Sequence, residues 1–165
     1  MEKLLVSLGD VSARPCAVFN PREFLWNGNR ACVRGNFDEW ILPNTRTVTS
    51  ASRMLLRSYA LTRAANDLEI RRELPKVKAF GLRILWVVAR LIEVQSQGEI
   101  GALSTDYYPN IFFFNGRLKK FTVVVSRGSG DLLWWITSWN FGGHGNWLSG
   151  ARIFTPAPIF WDFVP

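Results

Sequence analysis

The stretch from residue 109 to the C-terminus constrains the fold of this chain most, because its pattern is typical of antiparallel sheet. Its strand-like runs cover residues 111–114, 117–127, 132–141, 151–155 and 159–164. The first turn between them is Asn115-Gly116, a pair that favours a two-residue hairpin because both residues tolerate positive φ. Residues 128–131 provide a second, glycine-containing turn. Two successive hairpins predict a meander, which the last two runs extend to about four to five strands.

The middle of the chain, residues 46–98, has the pattern of two amphipathic helices. Apolar residues recur at steps of three and four over residues 51–74 and again over residues 76–97. That spacing places them on one side of a helix. Pro75 separates the two predicted helices, and Gly98 stands where the second should end.

The beginning of the chain, residues 1–45, predicts a small β-ribbon. Asn27-Gly28 stands there between two strand-like runs, residues 22–26 and 29–34. A chain of 165 residues is close to the usual size of one domain. We therefore predict a single α+β domain over residues 1–165, built in order from an N-terminal β-ribbon (1–45), two amphipathic helices in a basic segment (46–98) and a C-terminal antiparallel meander (109–165).

The charge of the chain is strongly positive and concentrated in one segment. The formal net charge is +7, and 15 of the 20 basic residues are arginine. Residues 46–90 hold ten basic and three acidic residues, a net charge of +7 that equals that of the whole chain. Because arginine suits bidentate contact with phosphate, polyanions are the predicted partners, although a basic surface also favours solubility alone.

Two rows of basic residues are the predicted phosphate contacts of the helical segment. The first row lies on one side of the helix over residues 51–74, and the second repeats every seven residues along the helix over residues 76–97. These residues are Arg53, Arg57 and Arg71 in the first helix and Lys76, Arg83 and Arg90 in the second. We predict that both rows contact nucleic acid.

If Arg127 pairs with Leu132, the side chains of the two central predicted strands point alternately to two faces of the sheet. One of these faces is predicted to be covered and the other to be half-solvated. The covered face consists of Phe121, Val123, Val125, Trp134 and Ile136. The half-solvated face consists of Lys120, Thr122, Val124, Ser126, Leu133, Trp135, Thr137 and Trp139. Trp135 and Trp139 beside Lys120 predict stacking with bases of single-stranded nucleic acid. Two alternatives are that another segment covers these rings, or that they anchor a protein partner.

His144 is the one histidine of the chain and stands in a glycine-rich loop, residues 142–147. An imidazole that titrates near neutrality suits general acid–base cleavage of an RNA backbone, with a cation stabilising the charge on phosphate. The predicted catalytic residues are His144, Lys119 and Arg152, and Arg117 is a further candidate cation. The alternative is a loop histidine without a catalytic role.

The sequence lacks the signals that mark several other classes of protein. The chain has neither an apolar run of the roughly 20 residues that cross a membrane nor an N-terminal secretion signal. Cys16 and Cys32 are too few for a disulfide framework, so a cytoplasmic setting is predicted. Metal-ligand spacings and nucleotide-binding glycine motifs are missing too, so we expect no metal site and no cofactor.

Three hypotheses for function follow from these patterns. The first is an intracellular protein that binds nucleic acid, with arginines contacting phosphates and tryptophans stacking on bases. The second is a small, toxin-like, metal-independent ribonuclease that uses His144. The third is a phage-type inhibitor or adaptor that binds a protein or nucleoprotein machine without catalysis. The sequence leaves the choice between enzyme and binding protein open.

Overall fold

The structure, a computed structural model, describes residues 3–26, 31–45, 47–51, 53–74, 79–81, 84–95, 99–116, 119–130 and 132–157. In this part of the chain the strands are β1 (Leu5–Ala13), β2 (Cys16–Phe19), β3 (Ala31–Val33), β4 (Val48–Ala51), β5 (Met54–Leu61), β6 (Asn110–Asn115), β7 (Lys120–Arg127), β8 (Trp134–Asn140) and β9 (Arg152–Pro156). The helices are α1 (Pro21–Trp26), α2 (Asp67–Glu73) and α3 (Ile84–Val94), with a π-helical turn (Phe37–Ile41) that continues into a 3-10 turn (Leu42–Asn44). The predicted α+β class is confirmed, and sheet forms most of the core.

Seven strands form one mixed sheet in the order β1-β5-β9-β6-β7-β8-β3, and β2 pairs separately with β4. Strands β6, β7 and β8 are antiparallel neighbours in chain order. Strand β9 lies between β5 and β6, antiparallel to the first and parallel to the second. Residues 151–155 form a strand, but the prediction that they extend the antiparallel meander is wrong, because β9 runs parallel to β6 and pairs on both of its sides. The last predicted run, 159–164, falls outside the described residues.

The N-terminal region contains a helix where the sequence predicted one arm of a ribbon. Helix α1 follows Asn20, whose Oδ1 accepts a hydrogen bond from the backbone N–H of Arg22 at 3.1 Å. Pro21 stands at the first helical position, where its missing N–H costs nothing. This cap and proline favour a helix over a hairpin arm. Strand β3 then pairs with β8 in parallel and lies at the edge of the sheet.

The first predicted helix, residues 51–74, is mostly wrong. Its first half is strand β5, which pairs with β1 on one side and with β9 on the other. Backbone pairing on both edges outweighs the modest helix propensity of the same residues. The helix that does form, α2, begins after Asn66, whose side chain and that of Glu69 make a reciprocal capping box.

The second predicted helix is shorter than expected. Helix α3 covers eleven residues, Ile84–Val94, instead of residues 76–97. Upstream of it, Phe80 is extended and exchanges backbone hydrogen bonds with β6, donating to the carbonyl of Phe113 at 2.6 Å. Lys76 and Arg83, two of the predicted phosphate contacts, lie outside the described residues.

Helix α3 covers one face of the sheet, and a second apolar cluster covers part of the other face. The α3 cluster includes all five residues predicted for the covered face, namely Phe121, Val123, Val125, Trp134 and Ile136. Arg127 pairs with Trp134 and not with Leu132, so the connecting loop is two residues longer than predicted. A shift of two residues keeps each side chain on the same face, because the strand period is two. The second cluster joins α2 to the opposite face through Ile70, Val124 and Trp147.

Candidate nucleic-acid interface

The face of β7 and β8 that points away from α3 combines buried and exposed side chains. Cross-strand pairing places Thr122 opposite Trp139 and Ser126 opposite Trp135. Thr122 is fully buried, whereas Trp135 is half-buried and Trp139 keeps 41% of its surface exposed. Lys120 is exposed on the same face, two residues before Thr122. The rim of this face therefore presents an indole ring beside a cation.

Trp135 carries an arginine on its ring. The guanidinium carbon of Arg34 lies 3.4 Å from the ring centroid of Trp135, a cation–π contact. The position of Arg34 follows from the parallel pairing of β3 with β8, in which Cys32 stands opposite Trp135. The backbone N–H of Arg34 also donates to the carbonyl of Ile136 at 2.9 Å. Sequence reasoning missed Arg34, because no local pattern connects residues so far apart along the chain.

Trp139 continues into a row of three aromatic rings. The His144 ring meets Trp139 edge-on, with centroids 5.1 Å apart, and stacks on Trp147 at 3.7 Å with an interplanar angle of 4°. The Nδ1 atom of His144 is buried and makes no hydrogen bond in the described part of the chain. His144 is thus held mainly by ring contacts, with Trp139 at the exposed end of the row.

A buried carboxylate holds the glycine-rich loop that carries His144. Asp67 is fully buried and accepts from the hydroxyl of Thr122 at 2.7 Å, from the backbone N–H of Gly142 at 2.8 Å and from Nε1 of Trp147 at 2.6 Å. Gly142 has φ of 78°, a conformation that favours glycine. Three hydrogen bonds to one charged acceptor therefore connect α2, β7 and both ends of the 142–147 loop.

Arg71 lies in the cluster around Asp67 and not in an exposed row of arginines. Its guanidinium carbon lies 5.5 Å from the ring centroid of Phe113 and 5.3 Å from that of Phe141. Burial lowers the pKa of Arg71 from its ordinary value, and the charge of Asp67 offsets part of that change. The side chain is half-buried. Arg71 therefore contributes to the electrostatics around Asp67.

The other predicted phosphate contacts do not share one helix. Arg53 precedes β5 and donates from Nε to the hydroxyl of Ser12 at 2.6 Å. Arg57 lies in β5 with its Nε 3.6 Å from a carboxylate oxygen of Asp10. Arg90 lies in α3 and donates from Nη1 to Glu93 at 2.6 Å. The prediction of an arginine row on one long helix is wrong, because that segment folds as a strand followed by a short helix.

The three predicted catalytic residues have different neighbours in the described structure. Arg152 donates from Nη1 to the backbone carbonyls of Gly101 and Ala102, at 2.9 and 2.6 Å. Lys119 Nζ lies 5.8 Å from the ring centroid of Trp40. His144 contacts Trp139 and Trp147, as described above. Arg117, the further candidate cation, lies outside the described residues.

Among the described residues, no three His, Cys, Asp or Glu side chains come together as ligands for a metal ion. No described helix combines the length and the apolar composition needed to span a bilayer.

Comparisons of the chain with models of protein families, with curated proteins and with solved structures find no match. The rim formed by Lys120, Trp139, Trp135 and Arg34 is the candidate interface, and we refer to it below as the aromatic rim.

Proposed function

We propose that this protein binds single-stranded nucleic acid on the aromatic rim. The observation that carries the proposal is Trp139, a large ring that is 41% exposed on a sheet face that also carries the cations Lys120 and Arg34. Sheets that bind single strands combine such rings, which stack on bases, with cations that contact phosphates. Strand geometry separates Trp135 and Trp139 by about 13 Å, so each ring would meet a different base.

The charge around the aromatic rim supports an anionic ligand. Asp131 is the only Asp or Glu in the sequence between residues 107 and 161. The same stretch contains five basic residues, Arg117, Lys119, Lys120, Arg127 and Arg152. Four of these five lie at residues 117–127, in β7 and just before it, where the sequence has no Asp or Glu. A positive surface of this kind attracts polyanions at long range and weakens with salt.

Replacing Trp139 by alanine should lower the affinity for a single-stranded oligonucleotide by about 1–3 kcal/mol, the usual contribution of one stacked base. Fluorescence anisotropy of labelled DNA and RNA oligonucleotides measures the change. The matched control is Tyr107→Ala, which removes a ring that is 85% exposed in the loop before β6. Circular dichroism should show both variants folded. Equal affinities of the Trp139→Ala and Tyr107→Ala variants would contradict stacking on Trp139.

Replacing Lys120 by glutamine should reduce the salt dependence of binding. For a single strand, each neutralised phosphate contributes about 0.7 to the slope of log affinity against log salt, so the slope should fall by that amount. Lys3→Gln removes an exposed lysine that precedes β1 and should leave the slope unchanged. The measurement is a salt titration of oligonucleotide affinity for both variants. Binding of the unmodified protein that does not respond to salt would argue against phosphate contacts altogether.

The ribonuclease hypothesis has less support than the binding proposal. Catalysis would need His144 and a cation to converge on one phosphate, yet the guanidinium of Arg152 is occupied by two backbone carbonyls. The oligonucleotide experiments also report cleavage when the RNA is examined on a gel afterwards. Capture from lysate with and without nuclease treatment separates a protein partner from nucleic acid.

A further inference from the structure

One antiparallel ladder runs through two pairs of strands and places two arginines opposite each other. In the β1–β5 pair Ala13 stands opposite Met54, and in the β2–β4 pair Cys16 stands opposite Ala51. From Gly9 onward along β1, both pairs thus have the same register, and the ladder is interrupted between Ala13 and Cys16. Continuing that register across the interruption places Arg14 opposite Arg53.

The same ladder contains, for comparison, an arginine whose charge is neutralised by an acidic residue on the opposite strand. Arg57 stands opposite Asp10, and the two side chains form an ion pair at 3.6 Å. Arg14 and Arg53 are both exposed, and they are a like-charge pair, which destabilises an antiparallel ladder. Arg53 is further oriented by its hydrogen bond from Nε to Ser12. An anion between the two guanidinium groups would remove their repulsion.

A third arginine reaches the same place from α3. Arg14 and Arg90 line a cleft of about 420 Å³, and Arg14 and Arg53 line one of about 460 Å³; both clefts are also lined by Pro15 and Val94. Because the two clefts share Arg14, Pro15 and Val94, they adjoin, and together they are lined by three arginines that come from different parts of the chain. Val94 is 55% exposed and provides apolar surface beside the cations.

The charge of these clefts is not balanced by their own residues. Glu93 is the one carboxylate among the described residues that line them, and Arg90 already bonds it from Nη1. The Nε atom of Arg90 is buried and has no hydrogen-bond partner in the described part of the chain. Three arginines and one glutamate leave an excess of two positive charges, which a phosphate dianion would neutralise.

We propose that Arg14, Arg53 and Arg90 form a binding site for the phosphate group of a small phosphorylated ligand. Planar guanidinium groups bind phosphate oxygens bidentately, and a cleft of this volume is within the range of small-molecule sites. Pro15 and Val94 would contact the apolar part of the ligand. Strands β9 and β6 lie between β5 and the β7–β8 pair in the sheet, so this site is separate from the aromatic rim.

The test is phosphate binding by the intact chain at constant ionic strength. Inorganic phosphate and pyrophosphate are titrated against sodium chloride controls, with thermal unfolding and amide chemical shifts as readouts. The unmodified protein should gain thermal stability with phosphate, since a ligand of the folded state stabilises it. The double variant Arg14→Gln/Arg53→Gln should bind at least roughly tenfold more weakly, because two charge-assisted contacts are lost. Arg57→Gln, on the same ladder, is the matched control and should behave as the unmodified protein does.

Three results would overturn this proposal. The first is an unmodified protein that does not respond to phosphate, and the second is an equal loss in Arg57→Gln and in the double variant. The third is a double variant that loses oligonucleotide affinity while keeping its phosphate response, since the arginines would then belong to a nucleic-acid surface. Trp139→Ala should leave phosphate binding unchanged, so failure of this site and failure of the aromatic rim are distinguishable.

Discussion

Replacing Asp67 by alanine should lower the free energy of unfolding by about 3–5 kcal/mol, because one carboxylate accepts three hydrogen bonds in the interior. Each donor left buried without a partner costs about 1–3 kcal/mol. Loss of a buried charge recovers part of this, which keeps the net effect below the sum of three such costs. The 142–147 loop should lose its fixed position at the same time, because Gly142 and Trp147 are both held by Asp67.

Urea denaturation of the unmodified protein and of Asp67→Ala measures this difference. Asp106→Ala is the control, because Asp106 is exposed and its removal should change stability by less than about 0.5 kcal/mol. The chemical shifts of His144 report the loop independently, since its ring stacks on Trp147. A loss of less than about 1 kcal/mol would mean that water replaces the carboxylate at little cost, and our interpretation of the cluster would be wrong.

Replacing Trp134 by alanine should have an effect of similar size, about 3–5 kcal/mol, for a different reason. The indole is fully buried between the sheet and α3, and its removal leaves a cavity that close-packed neighbours fill only partly. Nε1 of Trp134 also donates to the backbone carbonyl of Gln95 at 3.2 Å, close to the end of α3. The substitution therefore removes both apolar packing and a buried hydrogen bond.

Trp134→Phe and Trp139→Ala separate the two contributions of Trp134. Trp134→Phe retains most of the apolar packing and loses the hydrogen bond, so its cost should be clearly smaller than that of Trp134→Ala. Trp139→Ala changes a tryptophan of the same strand that is partly exposed and should cost much less stability. Thermal or urea unfolding gives all three values. Equal destabilisation by Trp134→Ala and Trp139→Ala would contradict the assignment of the two faces of β8.

The two faces of the central strands could be predicted because they depend only on the period of a strand. The sequence predicts Phe121, Val123 and Trp134 on the covered face, and they lie there although the loop is two residues longer than predicted. An error of two leaves the alternation intact, whereas an error of one would have exchanged the faces. The aromatic positions of the candidate interface followed from the same alternation.

The structure of the segment that was predicted as the first helix could not be read from the sequence, because its partners lie far away along the chain. Residues 54–61 contain good helix formers, yet β1 and β9 pair with them on both sides. The intrinsic helix propensity of these residues contributes less than the backbone hydrogen bonds that they form with both neighbouring strands. The predicted arginine row does not form, because the helix that would carry it is absent from residues 54–61. Asn66 and Glu69, by contrast, are a local capping signal that would have placed the start of α2 correctly.

By itself the sequence determined the α+β class, the positive charge and the side of the sheet on which each central residue stands. These properties depend on composition and on short-range periodicity. Only the tertiary structure decided the neighbours: Arg34 on Trp135, Asp67 bonded to the loop of His144, and Arg14 and Arg53 beside one cleft. The physical reason is that strand order and long-range register bring together residues that no local pattern relates.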